Sequence, residues 1–486
     1  MKDLFSKKLI LILFIGFTFY NCEKTDNLIP QDIEVQDFVW KGMNAFYLWQ
    51  PDVPDLADTR FSSQSQLNSY LQGFSDPADL FQNLRFQPGN VDRFSVIVDD
   101  YIALENVFQG IFVSNGMEFG LVRYISDQTK VFGYVRYVIP GSDADTKGVL
   151  RGMLFTEVDG VQLTDTNFGS LLFGSNTAYT ISLADYNAGN PVNNTTMFAL
   201  AKLQLQENPV HIAKTITEGT NKIGYLMYNQ FSATFDRQLN AAFATFQSEN
   251  ITDLIIDLRY NGGGRVSTAT YLGGMVTGQF NNQLFSKEQW NTKVQAAIAA
   301  SQFENNFTNE ILNRDQNQNI VLQEPINSLN LNRVYFITTG STASASELVM
   351  NALSSYIDVS SVGTTTIGKV HGSVTLYDSD NLTRTGANLN PNHTWALQPL
   401  VLEILNKDGF NQPSGITPTV NLPEDFGNLG VLGERSDPLL DRTIILITTG
   451  SRIMTSDRNT TREMIEISNS QLNSPMRNNM IVDIKN

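Results

Sequence analysis

Asp253-Leu-Ile-Ile-Asp-Leu-Arg-Tyr-Asn-Gly-Gly-Gly264 is an apolar run that breaks into three glycines, and Ser267 to Met275 behind it carries apolar residues at helical spacing. The run reads as a buried strand. Glycines at its end let a backbone approach a ligand in conformations that a side chain would forbid. The stretch lacks both the Lys-Ser/Thr ending of a phosphate-binding loop and the spacing of a dinucleotide fingerprint. Asn221 to Tyr228, Val334 to Ile337 and Val359 to Val362 read as further strands, and Phe235 to Glu249 as an amphipathic helix. Alternating elements of this kind imply a sheet covered by helices, so the predicted class for this part of the chain is α/β.

A second strand-to-helix junction carries candidate chemistry. Val334-Tyr-Phe-Ile-Thr338 is a β-rich run, Glu347 to Leu353 has helical spacing, and Ser341-Thr-Ala-Ser-Ala-Ser-Glu347 joins them. A run of small residues opening a helix also fits a plain cap with tight packing. Small neighbours, however, let substrate come close to an attacking serine, and the first amides of a helix lack internal partners and can face a developing oxyanion. Ser344 is then the candidate nucleophile and the Ala345 amide a candidate donor. Lys369, in Ile367-Gly-Lys-Val370, can serve as base if burial lowers its pKa. His371 is the alternative, because imidazole has the better ordinary pKa near neutrality. In a strand over Gly368 to Thr375, positions 369 and 371 would share one face.

Asp257-Leu-Arg-Tyr-Asn-Gly-Gly-Gly264, Ser341 to Glu347 and Gly368-Lys369, in this order and spacing, closely resemble the C-terminal processing peptidases, also called tail-specific proteases. The resemblance runs from Trp40 to Leu440. It implies Ser344 as nucleophile, Lys369 as general base, and an oxyanion hole from the Ala345 amide and that of Gly262 or Gly263. Two positions depart from the family pattern. Ser373 stands where a glutamine oriented toward the lysine is common, and Ser355 where many members have an aspartate. A serine hydroxyl can still accept a bond from the lysine. Ser373 and His371 are therefore both candidates for orienting the base.

The rest of the chain divides by pattern. Lys2, Lys7 and Lys8 precede an apolar run, Leu9 to Tyr20, that is too short to span a bilayer comfortably and fits a secretory leader. Cys22, the one cysteine in 486 residues, follows directly. The arrangement resembles a bacterial lipoprotein signal over residues 1–21, with Cys22 as lipid acceptor and 22–36 as a linker, although Asn21 is not the usual small residue. Residues 37–100 read as a helical domain whose aromatics form a core of their own. Residues 101–204 are short strands with glycine turns and resemble a PDZ domain. That resemblance implies that Gly116, Met117, Glu118 and Phe119 form the loop capturing a peptide's C-terminal carboxylate. The family resemblance implies a peptidase domain over residues 205–445, in which 281–327 read as a polar insertion with helices, and 446–486 read as a tail without clear features.

Composition excludes some functions. Net charge is −16, from 33 basic and 49 acidic side chains, without a basic patch interleaved with aromatics, so nucleic acid is not an expected partner. His211 and His393 have no carboxylate or cysteine at ligand spacing, so neither a metal nor a cofactor is predicted. The expected protein is an exported, lipid-anchored cell-envelope serine endopeptidase acting on polypeptides, engaged in part through their C-termini. An inactive relative that binds peptides and an esterase or amidase of small envelope substrates stay open.

Overall fold

The computed structural model describes residues 29–452, 464, 466–471 and 480–482; the expected leader and Cys22 lie outside the described residues. Three helices come first: α1 (Glu34–Phe46), α2 (Gln64–Leu71) and α3 (Pro77–Asn83). Ser63 and Asp76 start α2 and α3 by accepting the amides of Gln66 and Ala78, as N-cap residues do. Contrary to expectation, these helices have no separate core. Phe38, Met43, Tyr47, Leu80 and Phe81 share one buried cluster with Leu226, Ile256 and Leu348 of the following α/β unit. Three short helices have too little apolar surface to bury one another, and α1 gains more by lying on a larger neighbour.

A β-rich unit follows. Strands β1 (Met117–Arg123), β2 (Val131–Val138), β3 (Leu154–Val158), β4 (Ala178–Asp185) and β5 (Val192–Ala201) pair antiparallel in chain order. They close over a core containing Phe119, Val135, Phe155, Ile181 and Leu200. The expected carboxylate loop at Gly116 to Phe119 needs correction. Met117 already opens β1, and the amides of Gly116 and Met117 are spent on the side chains of Ser114 and Asn115, at 3.0 Å each.

The α/β unit is built on β6 (Val210–Glu218), β7 (Asn221–Tyr228), α4 (Asp236–Glu249), β8 (Asp253–Asp257), β9 (Gly264–Arg265), α5 (Val266–Thr277) and β10 (Leu284–Trp290). It continues with β11 (Arg333–Thr338), α6 (Ala345–Ser354), β12 (Asp358–Gly363), β13 (His371–Ser373), β14 (Leu400–Asn406), β15 (Val420–Asn421) and α7 (Pro438–Thr449), which runs past the expected limit at 445. Its main sheet has the order β6-β7-β8-β11-β12-β15 and is parallel from β7 onward. Side chains alternate across it, as the pleat demands. Leu254, Ile256, Val334 and Phe336 join the cluster holding Leu239, Leu272 and Leu348 of α4, α5 and α6. Ile255 and Ile337 face Leu440 and Ile444 of α7.

The 281–327 region is mostly strand rather than helix. It holds β10, the strand Glu304–Asn306 and the hairpin Glu310–Arg314 with Ile320–Pro325, beside one short helix, Thr292–Ala297. Polar residues facing inward mask its period: Ser286, Glu288 and Trp290 are all buried, and Glu288 accepts from the Trp290 indole at 2.8 Å. Two short strands, β16 (Glu466–Asn469) and β17 (Met480–Ile481), lie in the tail. The former extends the β-rich sheet beyond β1, and the latter lies between β9 and β13.

Candidate active site

β8 and β11 are neighbours in the main sheet, so the loops leaving their C-terminal ends meet. This is where parallel sheets place ligands. The β11 loop turns into α6 at Ser344, whose backbone stands at φ 66° and ψ −119°. A side chain in that region costs about 1–3 kcal/mol and persists only when its surroundings fix it. Here the β8 loop does so. The Leu258 carbonyl accepts from Thr342 Oγ1 at 2.8 Å, and the Asn261 carbonyl accepts from the Ala343 amide and from Ser346 Oγ, both at 3.1 Å. Gly263, at φ 113°, packs on the serine itself: a Cβ there would lie 2.6 Å from Ser344 Cβ.

The Ser344 hydroxyl is fully buried and has no hydrogen-bond partner among the described residues. Unsatisfied buried hydroxyls are uncommon and call for an explanation. At the start of α6 the Ala345 amide has no acceptor among the described residues, and neither has that of Gly262. The Gly263 amide differs. It donates to Asn261 Oδ1 at 2.8 Å, an Asx turn that takes this N–H out of contention as an oxyanion donor. Asn261 is fixed in turn by donating to the Tyr228 carbonyl at 2.8 Å.

Lys369 is 1 % exposed and lines the same small cavity as Ser344, with Leu348, Val370, Ile404 and Ile416. No hydrogen bond joins Ser344 to Lys369. The Lys369 ammonium lies 4.9 Å from the centre of the Phe94 ring. Burial lowers its pKa from 10.5 to about 7, against the opposing pull of the Glu347 and Asp92 charges. A lysine so placed is half neutral near neutrality.

Glu347 holds the two loops together. Its carboxylate accepts from the Ser344 amide at 2.7 Å, the Gly368 amide at 2.6 Å, the Lys369 amide at 2.8 Å and the Thr366 hydroxyl. Burial raises its pKa, while the same four donors work to lower it. Arg93 closes the far side of the lysine loop by donating to the Gly368 carbonyl at 3.2 Å. Sequence reasoning gave none of these a role. The one available signal was the spacing of Glu347, three residues after Ser344, which is that of a capping box.

The remaining candidates fall outside the cavity. Strand β13 covers only His371–Ser373, so Lys369 precedes it and the expected shared strand face does not form. The His371 ring packs edge-on against Trp49 at 5.2 Å, and burial lowers its pKa. Ser373 Oγ donates to the Met480 carbonyl at 3.0 Å and makes no bond to Lys369. The hydroxyl expected to orient the base is thus committed to the chain's own tail. His211 packs on Tyr137, and His393, expected to lack a carboxylate partner, pairs with Asp378 at 3.0 Å.

Comparison with known proteins follows the same boundaries. The family model for peptidase family S41 matches residues 222–422, and that for the peptidase S41 N-terminal domain matches residues 34–96. A Bacteroides fragilis protein described as an S41 protease is 23% identical, with a TM-score of 0.63 over 85% of this chain and 97% of its own. The photosystem II D1 C-terminal processing protease is 17% identical, with a TM-score of 0.47 over 81% and 94%. No curated protein matches the chain in sequence.

Proposed function

Because the chain belongs to peptidase family S41, we propose that it is a serine endopeptidase using Ser344 and Lys369 as a dyad. Ser344 Oγ attacks a peptide carbonyl and gives its proton to neutral Lys369 Nζ. The amides of Ala345 and Gly262 hold the oxyanion as it forms. Lys369 then protonates the leaving amine, and a water molecule, deprotonated by the same lysine, hydrolyses the acyl-enzyme. The observation that carries this reading is the unpartnered Ser344 hydroxyl, held on a strained turn in one cavity with a lysine depressed to about 7.

Substrate polypeptide would be gripped as an added strand on β1, the edge that a PDZ domain uses. Ser344→Ala is expected to abolish cleavage of an unfolded protein such as casein, and labelling by a serine-reactive phosphonate, with the fold unchanged. Retained cleavage in that variant would overturn the assignment. Export and a lipid anchor at Cys22 are part of the same proposal, supported by the leader pattern. Incorporation of labelled fatty acid that persists in Cys22→Ala would refute the anchor.

A further inference from the structure

Two places in this molecule bind extended polypeptide, and the chain's own C-terminal segment sits in both. The first is the open edge of β1. Strand β16 lies antiparallel along it, with Glu466 opposite Val122, Ser468 opposite Leu121 and Asn469 opposite Gly120. The Ser470 amide continues the ladder to the Phe119 carbonyl at 3.0 Å, and Ser470 Oγ accepts from the Phe119 amide at 3.1 Å. The second place is a gap in the sheet beside Ser344. Strand β17 runs parallel to β9, with Met480 opposite Gly264 and Ile481 opposite Arg265. It is parallel to β13 on its other side, where Ile481 is opposite Ser373. The Met480 carbonyl accepts from Ser373 Oγ, and the Val482 amide donates to the Ser373 carbonyl at 3.1 Å.

Each place adds one side-chain site to this backbone pairing. On the β1 edge the Glu466 carboxylate meets Arg136 Nη2 at 2.6 Å through both oxygens and accepts from the Tyr134 hydroxyl. Arg136 is 2 % exposed, so its guanidinium is desolvated and needs an anion there, which the partly exposed Glu466 supplies. Gly120 makes the room, since a Cβ at that position would lie 2.4 Å from Glu466 Oε2. Arg136 Nη2 also donates to Ser341 Oγ at 2.8 Å, which ties this site to the Ser344 loop. At the second place Met480 is 1 % exposed and forms one wall of the cavity shared by Ser344 and Lys369.

We infer that the segment bearing Glu466 and Met480 is a tethered pseudosubstrate: it occupies in cis the two strand-accepting edges of the cleft, and a polypeptide must displace it to be cleaved. This rests on the peptidase reading for the word substrate, but not for the occupancy. The displacing chain is extended, carries a carboxylate side chain for Arg136, and carries an apolar side chain for the cavity wall. Backbone pairing on both edges accepts many sequences, while these two contacts select among them.

The test begins with the unaltered full chain. Hydrogen exchange should find the Ser470 and Val482 amides protected; exchange at the rate of free peptide would overturn the inference. A labelled synthetic peptide of residues 464–482 is then titrated into full-length Ser344→Ala, with and without Glu466→Gln and Met480→Asp. Weakening the tethered copy should tighten binding in trans by about tenfold or more, the loss expected for a charge-assisted bond and a buried side chain. Equal affinity in the two proteins, or no saturable binding, would refute the occupancy without any appeal to catalysis. With Ser344 intact, Glu466→Gln should lower KM for an unfolded polypeptide by about tenfold at unchanged kcat. An unchanged KM would count against the pseudosubstrate. Protected amides and tight peptide binding in a protein that cleaves nothing would instead leave the occupancy standing and remove the peptidase reading.

Discussion

The pH dependence of cleavage gives the sharpest check on Lys369. An ordinary lysine near pH 7 is neutral in roughly one molecule in three thousand, whereas one at about 7 is neutral in about half, so burial raises the supply of base by roughly a thousandfold. The sign is set by which form works. If the neutral amine accepts the serine proton, kcat/KM falls about tenfold per unit below the midpoint and is flat above it. Steady-state cleavage of a fluorogenic polypeptide from about pH 5 to 9 should show a single rise with its midpoint near 7 and roughly a hundredfold loss at the acid end. His371→Gln should leave that midpoint in place, because the ring faces Trp49 rather than the cavity. A flat profile would refute the lysine base. So would a midpoint below that of ordinary histidine that disappears in His371→Gln, since burial pushes His371 down.

Three substitutions test the scaffold. Glu347→Gln leaves an amide facing two of the four donors that the carboxylate now satisfies; it should cost about 2–4 kcal/mol in denaturant unfolding and lower kcat far more than KM. Gly263→Ala would put a Cβ against Ser344 in a backbone conformation that alanine avoids. It should reduce phosphonate labelling of the serine by about a hundredfold or more through loss of the attack geometry. Arg259 is wholly buried between Asp257 at 2.7 Å and Asp437 at 2.8 Å. Arg259→Ala should therefore destabilise by about 3–5 kcal/mol, read as a fall in the denaturant midpoint, because it strands buried carboxylates.

What was legible in the sequence was local. The β8 strand with its glycines and the Ser344 turn into α6 are each written in about a dozen consecutive residues. Their joining could be expected only from family resemblance. The burial of Lys369 was not legible, since Phe94 and Asp92, which surround it, come from the far side of the β-rich unit in sequence. That the Gly263 amide is occupied depends on one Asn261 side chain folding back on its own backbone, which no spacing announces. Misreadings arose where polar residues were buried or a strand's partner was distant. Glu288 hid the period of β10, and nothing in the polar, Asn-rich tail announces that Glu466 has a buried arginine to meet.

An inactive, peptide-binding relative would have no use for the most costly features of this site. Holding Lys369 at about 7 costs about 4–5 kcal/mol at neutrality relative to a lysine in water. The lysine is 1 % exposed, so little solvent screening relieves that cost. The Ser344 backbone adds about 1–3 kcal/mol. Features that strain a fold are retained where activity depends on them, and their removal then stabilises the protein while abolishing function. Lys369→Met keeps the length and the apolar contacts but has no charge to bury. It should raise the unfolding free energy by about 2–4 kcal/mol near pH 7 while ending cleavage. The gain must depend on pH in a definite direction. In the wild type the folded lysine loses its proton near 7 and the unfolded one only near its ordinary value, so wild-type stability climbs between those limits. The gap to Lys369→Met should accordingly narrow as pH rises toward 10. A variant less stable than wild type at neutrality, or a gap indifferent to pH, would mean that the lysine is structurally comfortable where it lies, and the energetic case for its role as base would fail.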